Sequence, residues 1–272
     1  MRPDKGKTST IDGGRTIDWG RTSSDYAEHR PGPPPSYYER LGWFGIGTPE
    51  QRVLDLATGT GSIARSLAAQ GCNVAGIDIA ESQTQMAAEL AKQDGVEIDF
   101  RFGPVEELPW DDNSFEVATA NQCWLYFQSE RVIPELRRVL GPDGRIAISH
   151  FSFMPRECEI AAASEELVMT HNPDWGGGDW NGHLPMDPRW AGRGLRRSDV
   201  VIWDEAIRFT RESWRGRMRA LRGIGASLPD EQVETFDSEH AALLEKIAPA
   251  EFDIVHRLDI HVFAFDDATR GA

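Results

Sequence analysis

Apolar residues recur along this chain in two rhythms that take turns. Short continuous runs such as Val53-Leu54-Asp55-Leu56 and Val74-Ala75-Gly76-Ile77 have the length of buried strands. Between two such runs, Ile63, Ala64, Leu67 and Ala68 fall at helical spacing. The pattern predicts strands over 52–57, 73–78, 97–102, 115–120 and 145–149, and helices over 62–70, 81–93 and 129–140. Gly71 and the run Gly141-Pro142-Asp143-Gly144 act as stops. Pro33-Pro34-Pro35 stiffens the path into a short helix over 36–42. Strands that alternate with helices imply an α/β fold with a parallel sheet and right-handed crossovers.

After Ser149 the rhythm changes. One helix is expected over 156–170, then a loop dense in Trp, Gly, Pro and His, then a strand over 200–209. Helices over 211–222 and 230–247 and a last strand within 253–265, starting near His256, complete seven strands. Residues 1–24 lack periodicity and read as a disordered tail. The expected organisation is therefore a tail, an N-terminal segment over 25–51, a core over 52–150, an inserted lid over 151–199, and strands and helices over 200–272 that complete the same domain.

Composition narrows the function classes. The chain has 272 residues, 40% of them hydrophobic, and a formal net charge of −15. Its isoelectric point near 4.9 and mean hydropathy of −0.46 describe an acidic, water-compatible protein. Such a field repels nucleic acid and anionic membrane, so neither is expected as a partner. No apolar run reaches membrane-spanning length and no signal peptide is visible, which reads as a cytoplasmic protein. Cys72, Cys123 and Cys158 are widely spaced and form neither a disulfide framework nor a zinc motif.

The first strand runs into Ala57-Thr58-Gly59-Thr60-Gly61, a tight turn that opens onto a helix. The second strand ends on Asp78. A glycine turn followed by an acid at the next strand tip is how an α/β fold holds a nucleoside-bearing cofactor, with the acid accepting from the ribose hydroxyls. Gly59-Thr60-Gly61-Ser62-Ile63-Ala64 also fits a dinucleotide pattern. Asp55 argues against it: a carboxylate at that strand end suits a cationic amino-acid group and repels a pyrophosphate.

Arg101-Phe102-Gly103-Pro104-Val105-Glu106-Glu107-Leu108-Pro109-Trp110, followed by Asp112-Asn113-Ser114-Phe115-Glu116-Val117-Ala118, has the spacing seen in class I methyltransferases. From Arg52 to His150 the chain resembles that family, in its type 11 small-molecule branch. The resemblance implies a Rossmann-like, seven-stranded, mostly parallel sheet with helices on both faces and a lid inserted after strand five. The last strand would lie antiparallel between strands five and six. The implied cofactor is S-adenosylmethionine (SAM), with S-adenosylhomocysteine (SAH) as product. Asp25-Tyr26-Ala27-Glu28-His29-Arg30-Pro31-Gly32 resembles the segment in which Tyr26 and Arg30 would cover the methionine end. Asp55 and the backbone of Ala57, Thr58 and Gly59, with Gly61 closing the turn, would meet the amino-acid end. Ala57 stands where many relatives have Gly and is expected at negative φ. Asp78 would bind the ribose diol, Ile79 one adenine face, and Gln83 the ribose. Pro104 replaces the acid that relatives turn toward adenine, so Val105 and Glu106 are the substitutes. Asn121 and Gln122 would meet the methionine carboxylate or ribose.

Catalytic candidates follow from position. Relatives often carry His in the strand-four loop; this chain has Leu125, flanked by Trp124 and Tyr126. Tyr126 either orients the substrate or packs, and His150 at a strand tip is either a base or a structural histidine. His171 and His183 flank a loop that reads either as a lid with two bases or as a surface insertion. Asp174 and Asp179 with these histidines match no metal spacing, so no metal is expected. Trp175, Trp180 and Trp190 in the insertion point to a flat or aromatic small-molecule substrate. The ten arginines between Arg189 and Arg222 read either as an anion-binding surface or as a salt-bridged helix face. The resulting expectation is methyl transfer to a small metabolite of secondary metabolism. An oxygen acceptor is favoured, with nitrogen and carbon open, and the protein would be a monomer or homodimer. The alternatives are a cyclase-like SAM-binding enzyme, an NAD-linked reductase and a non-catalytic partner subunit of a methyltransferase.

Overall fold

The computed structural model describes residues 17–22, 25, 28–29, 32–178, 180–184 and 186–266. Its central run is β1 (Arg52–Leu56), α2 (Ser62–Ala69), β2 (Asn73–Asp78), α3 (Glu81–Asp94), β3 (Ile98–Phe102), β4 (Val117–Asn121), α4 (Ser129–Leu140) and β5 (Arg145–Phe153), preceded by α1 (Pro35–Trp43). Then come α5 (Glu159–His171), β6 (Leu195–Thr210), α6 (Arg211–Arg219), α7 (Asp230–Ile247) and β7 (Glu251–Phe265). The sheet order is β3-β2-β1-β4-β5-β7-β6. β1 pairs in parallel with β2 and β4, β2 with β3, and β4 with β5. His150 meets Asp259 while Met154 N–H donates to Val255 O, so β7 runs antiparallel to β5, as the resemblance implied.

Three elements run longer than their apolar cores suggested. β5 continues through Phe153, β6 begins at Leu195, and β7 begins at Glu251. The β5 and β7 extensions alternate polar with apolar residues, that of β6 is polar after Leu195, and in each cross-strand pairing decides the state.

The chain divides into two compact units. One takes Pro31–Ser152, Leu184–Asp204 and the chain from Arg257; the other takes the chain up to Arg30, Phe153–His183 and Glu205–His256. The first is built on Leu54, Leu56, Ile77, Ala118, Ile146 and Ile148 from adjacent strands, closed by Leu136, Val139 and Phe263. Segment 186–195, expected as part of a lid, is built into this core. Trp124 Nε1 donates to Ala191 O at 3.0 Å, and Asp266 N–H donates to Gly194 O at 2.8 Å. Gly192 has φ +112°, and a Cβ there would lie 2.7 Å from Ile133.

The second unit is built on Trp214, Phe236, Leu244, Phe252 and Ile254. Trp175 belongs to this core and packs against Gly177 and Gly223, so it does not line a substrate wall as its loop composition suggested. Residues 17–22 are not part of a structureless tail. Trp19–Thr22 forms a 3-10 turn, Asp18 N–H donates to Ala226 O at 2.9 Å, and Arg21 Nη1 donates to Leu228 O at 2.7 Å. The arginine-rich stretch is largely paired here: Arg215 with Asp237, Arg219 with Asp25 and Asp237, and Arg208 with Glu251 and Asp253. Among the described residues no helix is long and apolar enough to cross a membrane.

Candidate functional site

The turn after β1 packs three left-handed residues into five: Ala57 (φ 47°), Gly59 (φ 58°) and Gly61 (φ 75°). Ala57 thus departs from the negative φ expected of it. For an L-residue that region costs roughly 1–2 kcal/mol, offset in part by the backbone freedom that glycine brings to the unfolded chain. Ala57→Gly should therefore stabilise the fold by about 0.5–1 kcal/mol and raise the melting temperature by about 1–4 °C, read by calorimetry. An unchanged or lower melting temperature would show that the turn is not strained there.

Asp78 organises this turn. Its Oδ2 accepts from Gly59 N–H and its Oδ1 from Ala80 N–H, each at 2.8 Å. Each oxygen keeps a further lone pair. Burial pushes the Asp78 carboxyl up while these backbone donors oppose the shift. Next to it Ile79 is 61% exposed, and Phe102 at the tip of β3 is 58% exposed. An acid with acceptor capacity left beside apolar surface fits a nucleoside: the acid takes hydroxyl donors and the apolar residues take a ring. Gly61 is crowded by the protein itself. A Cβ there would meet the Phe100 ring at 3.0 Å and Ala87 at 3.2 Å, so its glycine admits the protein's own side chains.

Asp55 is also placed differently from the expectation. It is buried; its Oδ2 accepts from Thr58 Oγ1 and its Oδ1 from Thr119 Oγ1, both at 2.6 Å. Burial pushes its carboxyl up to about 6, against the two threonine bonds. The folded state therefore holds this proton more tightly than the unfolded chain does. Its contribution favours folding below pH 4 and is lost as pH rises toward 6, a difference of about 3 kcal/mol. Asp55→Asn keeps an acceptor for one threonine and a donor for the other, and removes the charge. Relative to the parent it should gain stability between pH 4.5 and 7.5 in urea unfolding; a constant difference would rule out a costly buried charge.

Other expected cofactor residues fall as follows. Thr58 N–H donates to Ile77 O at 2.9 Å and joins the turn to β2. Gln83 is buried on α3, and Val105 is buried in the core. Glu106 Oε1 accepts from Gln128 N–H at 3.1 Å, so this oxygen caps the entry to α4. Asn121 accepts from Ser149 Oγ at 3.1 Å, and Ser149 shares a 2.9 Å bond with the buried Tyr37 hydroxyl. Gln122 is left-handed (φ 62°); its N–H donates to Ser149 O at 2.9 Å, and its amide bonds to Phe151 O and Ser152 Oγ. Strain held by several bonds is typical of ligand clamps. Tyr26, Arg30 and Asp179 lie outside the described residues.

At the same end of the β4–β5 pair, one residue beyond Ser149, sits a group that sequence reading found only in half. His150 Nδ1 lies 2.9 Å and 3.1 Å from the two carboxylate oxygens of Asp259. The His150 side chain is 21% exposed and that of Asp259 1%. A carboxylate fixes the proton on Nδ1 and leaves Nε2 as a lone-pair acceptor at the open edge of the ring. Asp259 went unnoticed although it was visible as a carboxylate inside the apolar run Leu258–Phe265. Trp190 packs on this pair, its ring centroid 6.0 Å from His150 and 5.7 Å from Phe263. Tyr126 is partly exposed on the 3-10 turn Trp124–Tyr126 of the same unit. His183 is exposed and belongs to the other unit, as does His171, which bonds Glu239 at 2.8 Å. Among the described residues no group of three or more His, Cys, Asp or Glu is arranged to hold a metal ion.

Comparison with known proteins gives this geometry a context. Residues 54–148 match the family described as a methyltransferase domain. An uncharacterized methyltransferase of Mycobacterium bovis, Mb3374, is 33% identical over 134 residues, covering 49% of this chain and 51% of that protein. The demethylmenaquinone methyltransferase of Clavibacter sepedonicus is 38% identical over 107 residues, 39% of this chain and 43% of that protein. The chain thus spans about half the length of the curated relatives it matches. The YcgJ protein of Bacillus subtilis shares the fold, with a TM-score of 0.51 at 20% identity over 84% of this chain and 99% of that one.

Proposed function

We propose that the chain as a whole is a class I SAM-dependent methyltransferase whose acceptor is a hydroxyl of a small, flat metabolite; the match of residues 54–148 to a methyltransferase domain supports the first part. The observation that carries the acceptor chemistry is the His150–Asp259 pair, an oriented base with an open nitrogen. A hydroxyl must lose its proton as it is methylated, whereas a carboxylate or free amine needs no base. The exposed Leu125 and Met186 and the Trp190 ring, all in the unit that holds His150, suit an apolar, planar acceptor. A relative named for demethylmenaquinone supports a flat, apolar substrate and does not bear on a hydroxyl as the acceptor.

On this reading the Asp78 carboxylate receives the ribose hydroxyls and Ile79 packs on the adenine. The turn over 57–61 and Asn121 with Gln122 line the methionine end. Asp55 acts one step back: through Thr58 and Thr119 it ties the turn to β4. When bound, SAM supplies an electrophilic methyl that leaves its sulfonium sulfur for the acceptor oxygen, so SAH departs neutral. His150 Nε2 takes the acceptor's proton and later releases it to water. Secondary metabolism is the setting such an acceptor suggests.

The test is calorimetric titration with SAM and SAH, then mass spectrometry of reactions with a panel of phenols and hydroquinones. Micromolar binding and an oxygen-methylated product are expected. Binding without any methylated product would favour a SAM-binding enzyme that no longer transfers methyl. Methylation at carbon would replace the hydroxyl acceptor by a carbon acid.

A further inference from the structure

β6 is the last strand in the sheet order, so among the described residues it has a strand neighbour on its β7 side alone. Its outer edge presents a row of backbone N–H and C=O groups to any further strand. Natural edges are commonly blunted by proline, lysine, a bulge or shortness. β6 runs for 16 residues and holds no proline, glycine or lysine. Its middle is apolar and wet: Val200 is 37% exposed and Ile202 40%. Alternation puts Arg196, Ser198, Val200, Ile202 and Asp204 on one face of the sheet, all exposed. Aromatic residues border the strand as well. Arg40 of α1 lies 4.3 Å from the Trp203 ring and 5.1 Å from the ring of Trp43, a residue 66% exposed. All these residues belong to the compact unit that holds His150.

The charges along this edge change sign about its apolar centre. Arg196 and Arg197 precede it, and Asp204 and Glu205 follow it. A second copy laid antiparallel about a two-fold axis reverses that order and sets base against acid. Residues directly opposite in such a pair share a face, so the axis passes beside a residue. With Val200 on the axis, Arg196 faces the partner's Asp204 on each side, Val200 faces its own copy, and Ile202 lies opposite Ser198. Asp204 also holds Arg257 at 2.7 Å, and its oxygens keep lone pairs for a further donor. Neighbouring registers are poorer. Asp199 on the axis would set two carboxylates face to face. Val201 on the axis leaves Arg196 opposite Ala206 and calls on Arg197, which already donates to His261 Nδ1 at 3.2 Å and to Met186 O at 2.7 Å. We propose that the chain is a homodimer in which β6 pairs antiparallel with β6 of a second copy, Val200 on the two-fold axis, joining the two seven-stranded sheets into one.

The experiment is light scattering after size exclusion on the full chain at tens of micromolar, with disulfide trapping to read the register. The parent should show twice the 30.4 kDa mass of one chain. Val200→Lys sets two ammonium groups opposite each other, and Arg196→Glu turns two attractions into repulsions; each should raise the dimer dissociation constant at least about tenfold. Both positions are exposed, so an unchanged melting temperature of the diluted chain shows that the fold survives. Trapping uses a Cys158→Ser background, because Cys72 and Cys123 are buried. Val200→Cys should cross-link to its own copy on mild oxidation, since opposed Cα atoms at about 4.5–5.5 Å suit a disulfide. Arg196→Cys should not, since its copy lies about 27 Å along the strand. A monomeric parent overturns the proposal. So does a dimer that Val200→Lys leaves intact, which places the interface elsewhere, and so does cross-linking through Arg196→Cys. None of these readings needs turnover, so they decide the assembly whatever the chain methylates.

Discussion

Asp78→Ala should weaken SAM binding by about two to four orders of magnitude, the cost of two hydrogen bonds to a charged acceptor at roughly 1.5–3 kcal/mol each. The carboxylate has a double task. It receives Gly59 and Ala80 N–H groups from the protein itself and has one lone pair per oxygen left for a ligand. Alanine removes both functions and leaves two backbone donors without their acceptor. Asp78→Asn separates them, since one amide oxygen can still hold one of the two N–H groups. Its affinity should fall less than that of the alanine variant. Calorimetry with SAH reads the effect, and the melting temperature shows whether the turn survived. Affinity retained by Asp78→Ala would place the nucleoside elsewhere.

Asp259→Asn should leave SAM affinity intact and lower kcat by about 10²–10⁴, the range for losing a correctly poised general base. An asparagine amide facing His150 can donate to Nδ1. The ring proton then moves to Nε2, the atom that must be free. The signature is a collapse in kcat with acceptor KM and cofactor Kd close to the parent values. A rate that falls only a few-fold would make the pair a structural contact. Loss of both affinity and rate would mean that Asp259 supports the fold.

Much of this was legible in the order of apolar runs. The strand tips at Asp55 and Asp78, the turn between them and the seven strands follow from local periodicity and glycine placement, which act over a few residues. The conformation of Ala57 was not legible, because its φ is imposed by Thr58 bonding to Ile77 O and Gly59 to Asp78, neither of them a neighbour in sequence. The burial of Asp55 depended on Thr119, 64 residues away. Trp175 looked like a substrate wall because composition cannot tell an aromatic over a ligand from one over Gly223. Asp259 was missed for a related reason. Sequence reading sought the base at the tips of parallel strands, whereas its partner comes from the antiparallel strand that enters the sheet last.

The stretch from Met186 to Arg197 is a single uninterrupted piece of chain. It carries the Trp190 ring that packs on His150, the anchor to Trp124 through Ala191 and the arginine that bonds His261. On the proposed reading, the residues that would face the acceptor are gathered in one exchangeable cassette, apart from the turn and acid proposed for the cofactor. Grafting that cassette from a relative, with Trp124 and His261 matched to it, would change which molecules are methylated without rebuilding the machinery that holds the methyl donor.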